Sequence, residues 1–200
     1  MNIEIAEILK GYLTGASFVD KLAGLVQTMR IGITDDKGAR VETIYPVSCL
    51  YTFDECKTGK YAELVPNSKY SSILYFEDNG ITFGDKVGRW QDVESKLKLV
   101  CWANMKKLNK ADYNSANMIA EILYLFPGMP TQTTVFRNLS IKVTGQDIRN
   151  SAIFGKYRYN EPLTQYLMYP FDYFALNISV SYKIIPKCYE PNDNPAPDCP

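Results

Sequence analysis

Residues 151–184, SAIFGKYRYNEPLTQYLMYPFDYFALNISVSYKI, decide the fold of this chain because their second half alternates between two kinds of residue. One set consists of large apolar side chains: Phe174, Leu176, Ile178, Val180, Tyr182 and Ile184. The residues between them are mostly small or polar: Tyr173, Ala175, Asn177, Ser179, Ser181 and Lys183. A period of two predicts a β-strand with one face on a hydrophobic core and the other toward solvent.

An aromatic segment, residues 154–173, leads into this strand, and Pro162 and Pro170 stiffen it. It has more aromatic side chains than one small core requires, so we expect exposed members to form a subunit interface. Packing of the whole set in the core is the alternative. The aromatic residues are Phe154, Tyr157, Tyr159, Tyr166, Tyr169, Phe171 and Tyr173.

A second contact surface is predicted at residues 84–92, GDKVGRWQD, whose glycines and charges indicate a loop. Arg and Trp commonly anchor protein–protein contacts, so Arg89 and Trp90 are its candidate contact residues. A strand is expected after this loop, so it lacks the helix N-terminus on which phosphate-binding loops depend. The candidate interface residues are therefore Arg89, Trp90, Tyr157, Tyr159, Tyr166, Tyr169, Phe171 and Tyr173.

The N-terminal region is predicted to contain two helices. Apolar residues at helical spacing from Ile5 to Tyr12 indicate the first, and Gly15 favours its end. Ser17 is suited to cap the second. The inner face of that second helix would carry Phe18, Leu22, Leu25, Val26 and Met29.

Strands are predicted to follow, beginning with a hairpin over residues 31–45 that turns at 35–38. Asn79-Gly80, between the apolar runs 72–76 and 81–83, predicts the turn of another hairpin. Alternation over residues 93–101 indicates a further strand, which includes Cys101 as a core residue.

The clearest helix of the second half is predicted over residues 111–126, with Asp112 or Asn114 as its cap. Pro127-Gly128 ends it. Its buried stripe would consist of Ile119, Ile122, Leu123 and Phe126, and the strand after it would bury Val135, Leu139, Ile141 and Val143.

Helices and strands do not alternate along the chain, so we predict an α+β domain with a mostly antiparallel sheet and a packed helix. This single domain would span residues 1–185. Five of the 11 prolines lie in residues 186–200, which predicts an extended Pro-rich tail.

The charges balance, with 22 acidic residues against 22 lysines and arginines, so no global basic field directs the chain to nucleic acid. A local cluster of lysines is expected to be a solvated face, and contact with DNA or an acidic partner is the alternative. The cluster comprises Lys96, Lys98, Lys106, Lys107 and Lys110.

Histidine is absent, which excludes every catalytic device and metal site that depends on imidazole. The five cysteines contain no CxxC pair, so no zinc site is predicted, and Cys188 and Cys199 would pair only in an oxidising environment. We therefore expect no catalytic residue, cofactor or metal, and a protein that is not an enzyme. The first residues lack the pattern of a signal peptide and no apolar run is long enough to span a bilayer, so no membrane association is expected.

Three stretches resemble bacteriophage tail terminator proteins and their relatives, the tail-completion and head–tail connector proteins. They are RWQDVESKLKLVCW (89–102), the helix near 115–126, and YPFDYFALNISVSYKI (169–184), within a resemblance that covers residues 89–185. The order of helices and strands is similar as well.

This resemblance implies a non-enzymatic virion subunit, assembled in the host cytoplasm, that forms a ring, typically a hexamer, at the head–tail junction. Such a ring caps the tail tube and docks to connector or portal-side proteins, while DNA passes through its lumen without sequence-specific binding. The two predicted contact surfaces suit the side contacts of a ring. The alternative is a small nucleic-acid or ligand binding module that uses the Lys96–Lys110 cluster.

Overall fold

The computed structural model describes residues 1–34, 40–51, 62–109, 113–159 and 163–185, which form an α+β fold built on one six-stranded sheet. Short 3-10 helices at Ser151–Phe154 and Leu163–Leu167 precede the last strand. The helices and strands, in chain order, are α1 (Asn2–Leu13), β1 (Lys21–Thr34), β2 (Arg40–Ser48), β3 (Ser72–Val87), β4 (Trp90–Asn104), α2 (Met105–Leu108), α3 (Ser115–Leu125), β5 (Arg137–Ile148) and β6 (Phe171–Ile184).

The strand order is β2-β1-β3-β4-β6-β5, and the sheet is mixed. Every pairing is antiparallel except that of β1 with β3, which is parallel and short. Strands β4 and β6 pair along almost their whole length, from Gln91 opposite Ile184 to Asn104 opposite Phe171. The predicted fold class is therefore confirmed, with one parallel pairing that the sequence did not indicate.

One face of the sheet, which we call the front face, carries the main core beneath helices α1 and α3. The alternation predicted for β6 is confirmed there, because its whole apolar set is buried. Ile5 and Leu9 of α1, together with Met118 and Ile122 of α3, cover these side chains and are fully buried themselves. Burial of each such side chain contributes about 1.5–3 kcal/mol to folding.

The prediction of a second N-terminal helix is wrong, because residues 21–34 form strand β1. Strand β1 lies between β2 and β3, and its residues 23–26 are buried on both faces. Leu25 packs in the front core, whereas Ala23 and Val26 pack against the other face, and the register shifts between Leu22 and Leu25. Burial on both faces removes the alternation of polar and apolar residues from the sequence. The register shift then leaves apolar residues at spacings that are also typical of a helix.

The hairpin turn at Asn79-Gly80 is also wrong, because β3 continues through it to Val87. The register against β4 shifts between Asp78 and Ile81, and Gly80 has a φ of 104°. The true turn is Gly88-Arg89, where Val87 pairs with Trp90. A bulge and a primed hairpin turn both require positive φ, so Asn-Gly indicates either.

Residues 84–92 are consequently not a loop but the end of a long β3–β4 hairpin. We call residues 78–92 the arm. All β3 residues of the arm are exposed except Ile81, which is half-buried. Strand β1 pairs with β3 only as far as Glu77, so in the described part of the chain no strand lies along the outer edge of the arm.

Helix α3 begins as predicted, with Asn114 as its cap. The Asn114 side chain accepts hydrogen bonds from the backbone of Ala116 and Asn117, and the Asn117 side chain accepts from Asn114 N. Leu123 is a wrong member of its buried stripe, because it is 48% exposed and Met118 fills the core instead. Val135 is another wrong core residue, since it lies before β5 and is 42% exposed.

Several predictions concern residues outside the described ranges. They are the turn at 35–38, the cap Asp112, Lys110, Pro162, the pairing of Cys188 with Cys199, and the tail 186–200. Among the described helices, none has both the length and the apolar character that crossing a bilayer would require.

Candidate interaction surfaces

The aromatic segment covers the opposite side of the sheet, which we call the back face. Phe154, Tyr157 and Tyr173 are buried there in a second core. They pack against side chains that the central strands direct away from the front face, namely Ile73, Tyr75, Val100 and Trp102. The fold therefore has two cores at this end of the sheet.

Trp102 lies at the centre of the back core and holds the last part of the aromatic segment. Its ring stacks on Phe171, with centroids 5.1 Å apart and an angle of 24°, and meets Tyr166 edge-on at 6.2 Å. Its Nε1 donates a hydrogen bond of 2.8 Å to the carbonyl oxygen of Tyr166. Tyr166 and Phe171 are thus half-buried packing residues rather than a free surface.

The prediction that the aromatic segment presents an exposed aromatic surface is therefore largely wrong. Tyr157 and Tyr173 are buried, and Tyr159, Tyr166 and Phe171 are half-buried against the back core. The error was to assume one core. The continuous apolar runs ILYF (73–76) and VCWA (100–103) are typical of strands buried on both faces and could have indicated the second core.

Tyr169 is the exposed remainder of the predicted surface. It is 88% exposed, and the neighbouring Met168 is 63% exposed. The two residues lie beside the start of β6, where Pro170 O accepts a hydrogen bond of 3.0 Å from Met105 N. We call Met168 and Tyr169 the Tyr169 patch.

Tyr169→Ser is expected to change the free energy of unfolding by less than about 0.5 kcal/mol, because the ring makes little buried contact. Tyr157→Phe should instead destabilise by about 1.5–3 kcal/mol, since it removes a buried hydrogen bond to a carboxylate. Urea unfolding followed by circular dichroism measures both. Equal losses for the two variants would contradict the burial described for them.

A buried carboxylate fastens the aromatic segment to the sheet. Glu77 of β3 is 4% exposed, and its Oε1 accepts a hydrogen bond of 2.5 Å from Tyr157 Oη. The Lys156 ammonium lies 2.9 Å from the other carboxylate oxygen. The hydroxyls of Tyr75 and Tyr159 lie close to this carboxylate and to the Tyr157 hydroxyl.

Burial raises the pKa of three of these tyrosines, because the tyrosinate form would lose its hydration. The pKa of Tyr157 rises because the Glu77 charge adds to the desolvation. The pKa values of Tyr75 and Tyr159 rise for the same two reasons, with neighbouring tyrosines contributing as well. The cluster therefore holds neutral tyrosines against one compensated carboxylate.

A second buried carboxylate connects the two sides of the sheet near the Tyr169 patch. Asp172 is 1% exposed and accepts hydrogen bonds of 2.9 and 3.2 Å from the Arg149 guanidinium. The hydrogen bonds that Arg149 donates to the Asp172 carboxylate raise the pKa of Arg149. Asp172 also accepts a bond of 3.0 Å from Ser115 N at the start of α3. This carboxylate therefore fixes the start of β6 relative to helix α3.

The structure places Arg89 and Trp90 at the tip of the arm, away from the aromatic segment. Two guanidinium groups contact the Trp90 ring, with Arg89 5.5 Å and Arg137 4.8 Å from its centroid. Phe83 and Val87, on the β3 side of the arm, are 59% and 64% exposed. Sequence reasoning missed these two because it placed Phe83 in a strand of the hairpin predicted at Asn79-Gly80 and Val87 in a loop.

The arm and the Tyr169 patch lie at opposite ends of the central strands. Strand β4 begins at Trp90 in the arm and ends at Asn104, whose partner on β6 is Phe171. At about 3.3 Å per residue, β4 separates the two surfaces by about 45 Å. The predicted interface residues therefore belong to two distant surfaces and one buried layer.

The predicted lysine cluster does not form one patch. Lys96 and Lys98 lie on the back face of β4, whereas Lys106 and Lys107 belong to α2, beyond the far end of that strand. The Lys107 ammonium donates to Lys69 O at 2.8 Å.

In the described ranges, no group of three or more His, Cys, Asp or Glu side chains is placed to hold a metal ion. Burial raises the pKa of the Cys101 thiol well above its usual value, and the thiol of Cys49 shifts in the same direction. Comparison with known proteins finds no family model that matches the chain and no curated protein that matches it.

Proposed function

We propose that this chain is a non-enzymatic structural subunit of a phage virion that forms a closed ring, a hexamer, at the head–tail junction. The ring caps the tail tube, docks to the connector or portal-side proteins, and surrounds the passing DNA without binding it sequence-specifically. The observation that carries the proposal is the pair of exposed apolar surfaces at opposite ends of the sheet.

Ring closure requires two different, complementary patches on each subunit, because a heterologous contact repeats around an axis. The arm offers Phe83 and Val87 with the cationic Arg89 beside them. The Tyr169 patch offers an aromatic ring and a flexible thioether at the other end. Aromatic, Met and Arg side chains are enriched in protein interfaces, so contact of one subunit's arm with the next subunit's Tyr169 patch would suit both surfaces.

The outer edge of the arm supports the same arrangement. Its backbone groups lack a neighbouring strand over the described residues, and an exposed strand edge pairs readily with another chain. The arm carries charged residues at Asp85, Lys86 and Arg89, which oppose indiscriminate pairing. A specific partner surface would therefore be needed to cover it.

Phe83→Ser combined with Val87→Ser is expected to abolish ring formation while lowering the free energy of unfolding by less than about 1 kcal/mol, because both side chains are largely exposed. Tyr169→Ser should give the same loss of assembly from the other side of the contact. Mass photometry and native mass spectrometry measure the oligomer, both for the chain alone and after addition of tail-tube and connector proteins. Val135→Ser is the matched control, since Val135 is 42% exposed and lies outside both surfaces.

A monomer at every concentration, alone and with those neighbours, would contradict the proposal. So would rings of the arm variant that are as abundant as those of the unaltered protein. Loss of rings in the Val135→Ser control would show that the assay reports general solubility and would remove its support for the arm.

A further inference from the structure

The back face has an uncovered half, where the sheet forms an open polar groove of about 440 Å³. The aromatic segment covers the part of β4 and β6 around Trp102 and Tyr173. The groove begins next to this covered part, on the side of the arm. Strands β3 to β6 all contribute to its lining. We call it the lysine groove; its lining includes Asn79, Glu94, Lys96, Thr144, Asn177 and Ser179, and Lys98 and Lys142 lie beside it as cross-strand partners of Asn177 and Ser179.

Lys96 lines this groove, and strand register places two more lysines at its rim. Lys96 and Lys142 are the cross-strand neighbours of Ser179 on either side, and Lys98 is the neighbour of Asn177. The facing acid is Glu94, which accepts a hydrogen bond of 2.6 Å from Ser179 Oγ and lies 3.6 Å from Lys96. Within the described residues, Lys98 and Lys142 form no ion pair, so the groove has surplus positive charge.

We propose that residues 186–200 of the same chain bind in the lysine groove. These residues include the acids Glu190, Asp193 and Asp198 against the single cation Lys187, so their charge is opposite to that of the groove. Each exposed ion pair of this kind contributes little by itself, and the three lysines allow several.

The connection is short enough to favour binding within one chain. Strand β6 ends at Ile184, five residues beyond Ser179, which places the groove about 17 Å back along the strand. A segment of 15 residues can span at most about 50 Å, so it can reverse direction and reach the groove. A short tether also holds the effective concentration near the millimolar range, so weak contacts suffice.

The chemistry of proline explains why a polar face suits this segment better than a strand edge. Five of its residues are prolines, which cannot donate the hydrogen bonds of a ladder. In a polyproline conformation the backbone carbonyls remain free acceptors. The groove offers matching donors in the Lys96 ammonium and the Asn177 amide, and the Lys98 and Lys142 ammonium groups add donors at its rim. Ion pairs and carbonyl contacts can therefore both form.

Zero-length carbodiimide cross-linking of the full chain tests this directly, because it joins an ammonium only to a carboxylate that touches it. We expect cross-links from Glu190, Asp193 or Asp198 to Lys96, Lys98 or Lys142. In a mixture of ¹⁵N-labelled and unlabelled chains the linked peptides should carry one isotope, as expected for contact within a chain. Lys142→Glu should reduce cross-links to the remaining lysines about fivefold, the effect of a lost surface ion pair.

Lys106→Glu is the matched control, since it makes the same change of charge on α2 at the far end of β4, and it should leave the cross-links unchanged. Absence of tail-to-groove cross-links, or equal loss with Lys106→Glu, would overturn the proposal. Mixed-isotope products would assign the groove to the tail of another copy and overturn binding within the chain. Duplex DNA binding that Lys142→Glu weakens, without tail cross-links, would assign the groove to nucleic acid instead. None of these results depends on whether the chain forms a ring.

Discussion

Trp102→Ala is expected to destabilise the protein by about 3–5 kcal/mol, the range for removing a large, fully buried aromatic side chain. Trp102 is 1% exposed and contacts both Tyr166 and Phe171, so its removal leaves a cavity in the middle of the back core. It also leaves Tyr166 O without its indole donor. Because domains are stable by about 5–15 kcal/mol in total, this loss is a large share. Urea unfolding followed by far-ultraviolet circular dichroism gives the measurement.

The chain contains two tryptophans, so Trp90→Ala is a natural control. Trp90 is half-buried at the tip of the arm, where it contacts Arg89 and Arg137 rather than a core. We expect its loss to cost less than about 1 kcal/mol, as for surface cation–π contacts. Similar destabilisation by the two variants would show that the back layer contributes no more to stability than the arm does.

The free energy of unfolding is expected to fall steeply as the pH rises above about 10, the ordinary pKa of tyrosine. Burial raises the folded-state pKa of Tyr75, Tyr157 and Tyr159, so unfolding releases protons that the folded protein retains. Stability is therefore complete below the unfolded pKa and is lost as pH rises toward the folded values. Each tyrosine contributes about 1.4 kcal/mol per pH unit in that window, so these three together contribute about 4 kcal/mol per unit to the total slope.

Urea titrations between pH 9 and 11.5 under reducing conditions measure this slope, and absorbance at 295 nm follows tyrosinate in the same samples. Tyr157→Phe should reduce the slope by about 1.4 kcal/mol per pH unit, in addition to its loss of stability at neutral pH. Burial raises the pKa of Cys101 as well, which starts the decline from about pH 8.5 in every variant. Formation of tyrosinate at all three positions before unfolding would contradict the buried cluster.

The part of the fold that could be predicted from sequence is the part in which one face of an element is buried. Strand β6 alternates from Phe174 to Ile184 because the C-terminal part of its back face is not covered by the aromatic segment. Polar residues, among them Asn177 and Ser179 of the lysine groove, therefore occupy that face. Helix α3 could also be predicted from sequence, because Asn114 is a strong N-cap and Pro127 follows the helix.

The wrong predictions have physical causes, and the first is the burial of a strand on both of its faces. Residues 23–26 of β1, 73–76 of β3 and 100–103 of β4 are buried on both faces, so period two disappears from their sequences. Gly80 supplies the positive φ of a bulge in a strand that continues, which short-range sequence cannot distinguish from a turn. Both errors bear on the candidate sites, because they hid the back core and the arm.

The candidate surfaces were predicted only in part for the same reason. The sequence shows that residues 154–173 are rich in aromatic side chains. Whether those side chains are buried or exposed depends on residues far away in sequence, such as Glu77 and Trp102. The lysine groove shows the same dependence. Lys142 joins Lys96 and Lys98 through the register of three strands, and sequence proximity had grouped them with Lys106 instead.

The strand order also has a consequence for synthesis of the chain. Strand β4 acquires one neighbour, β3, as soon as it leaves the ribosome, whereas its other neighbour begins only at Phe171. Until then β4 presents an open hydrogen-bonding edge with Leu99 on one side and Val100 on the other. At about 5–20 residues per second, that edge waits several seconds for its partner. Ribosome-bound chains that stop short of residue 171 therefore present a long apolar edge to one another on polysomes, where crowding of nascent chains favours their aggregation.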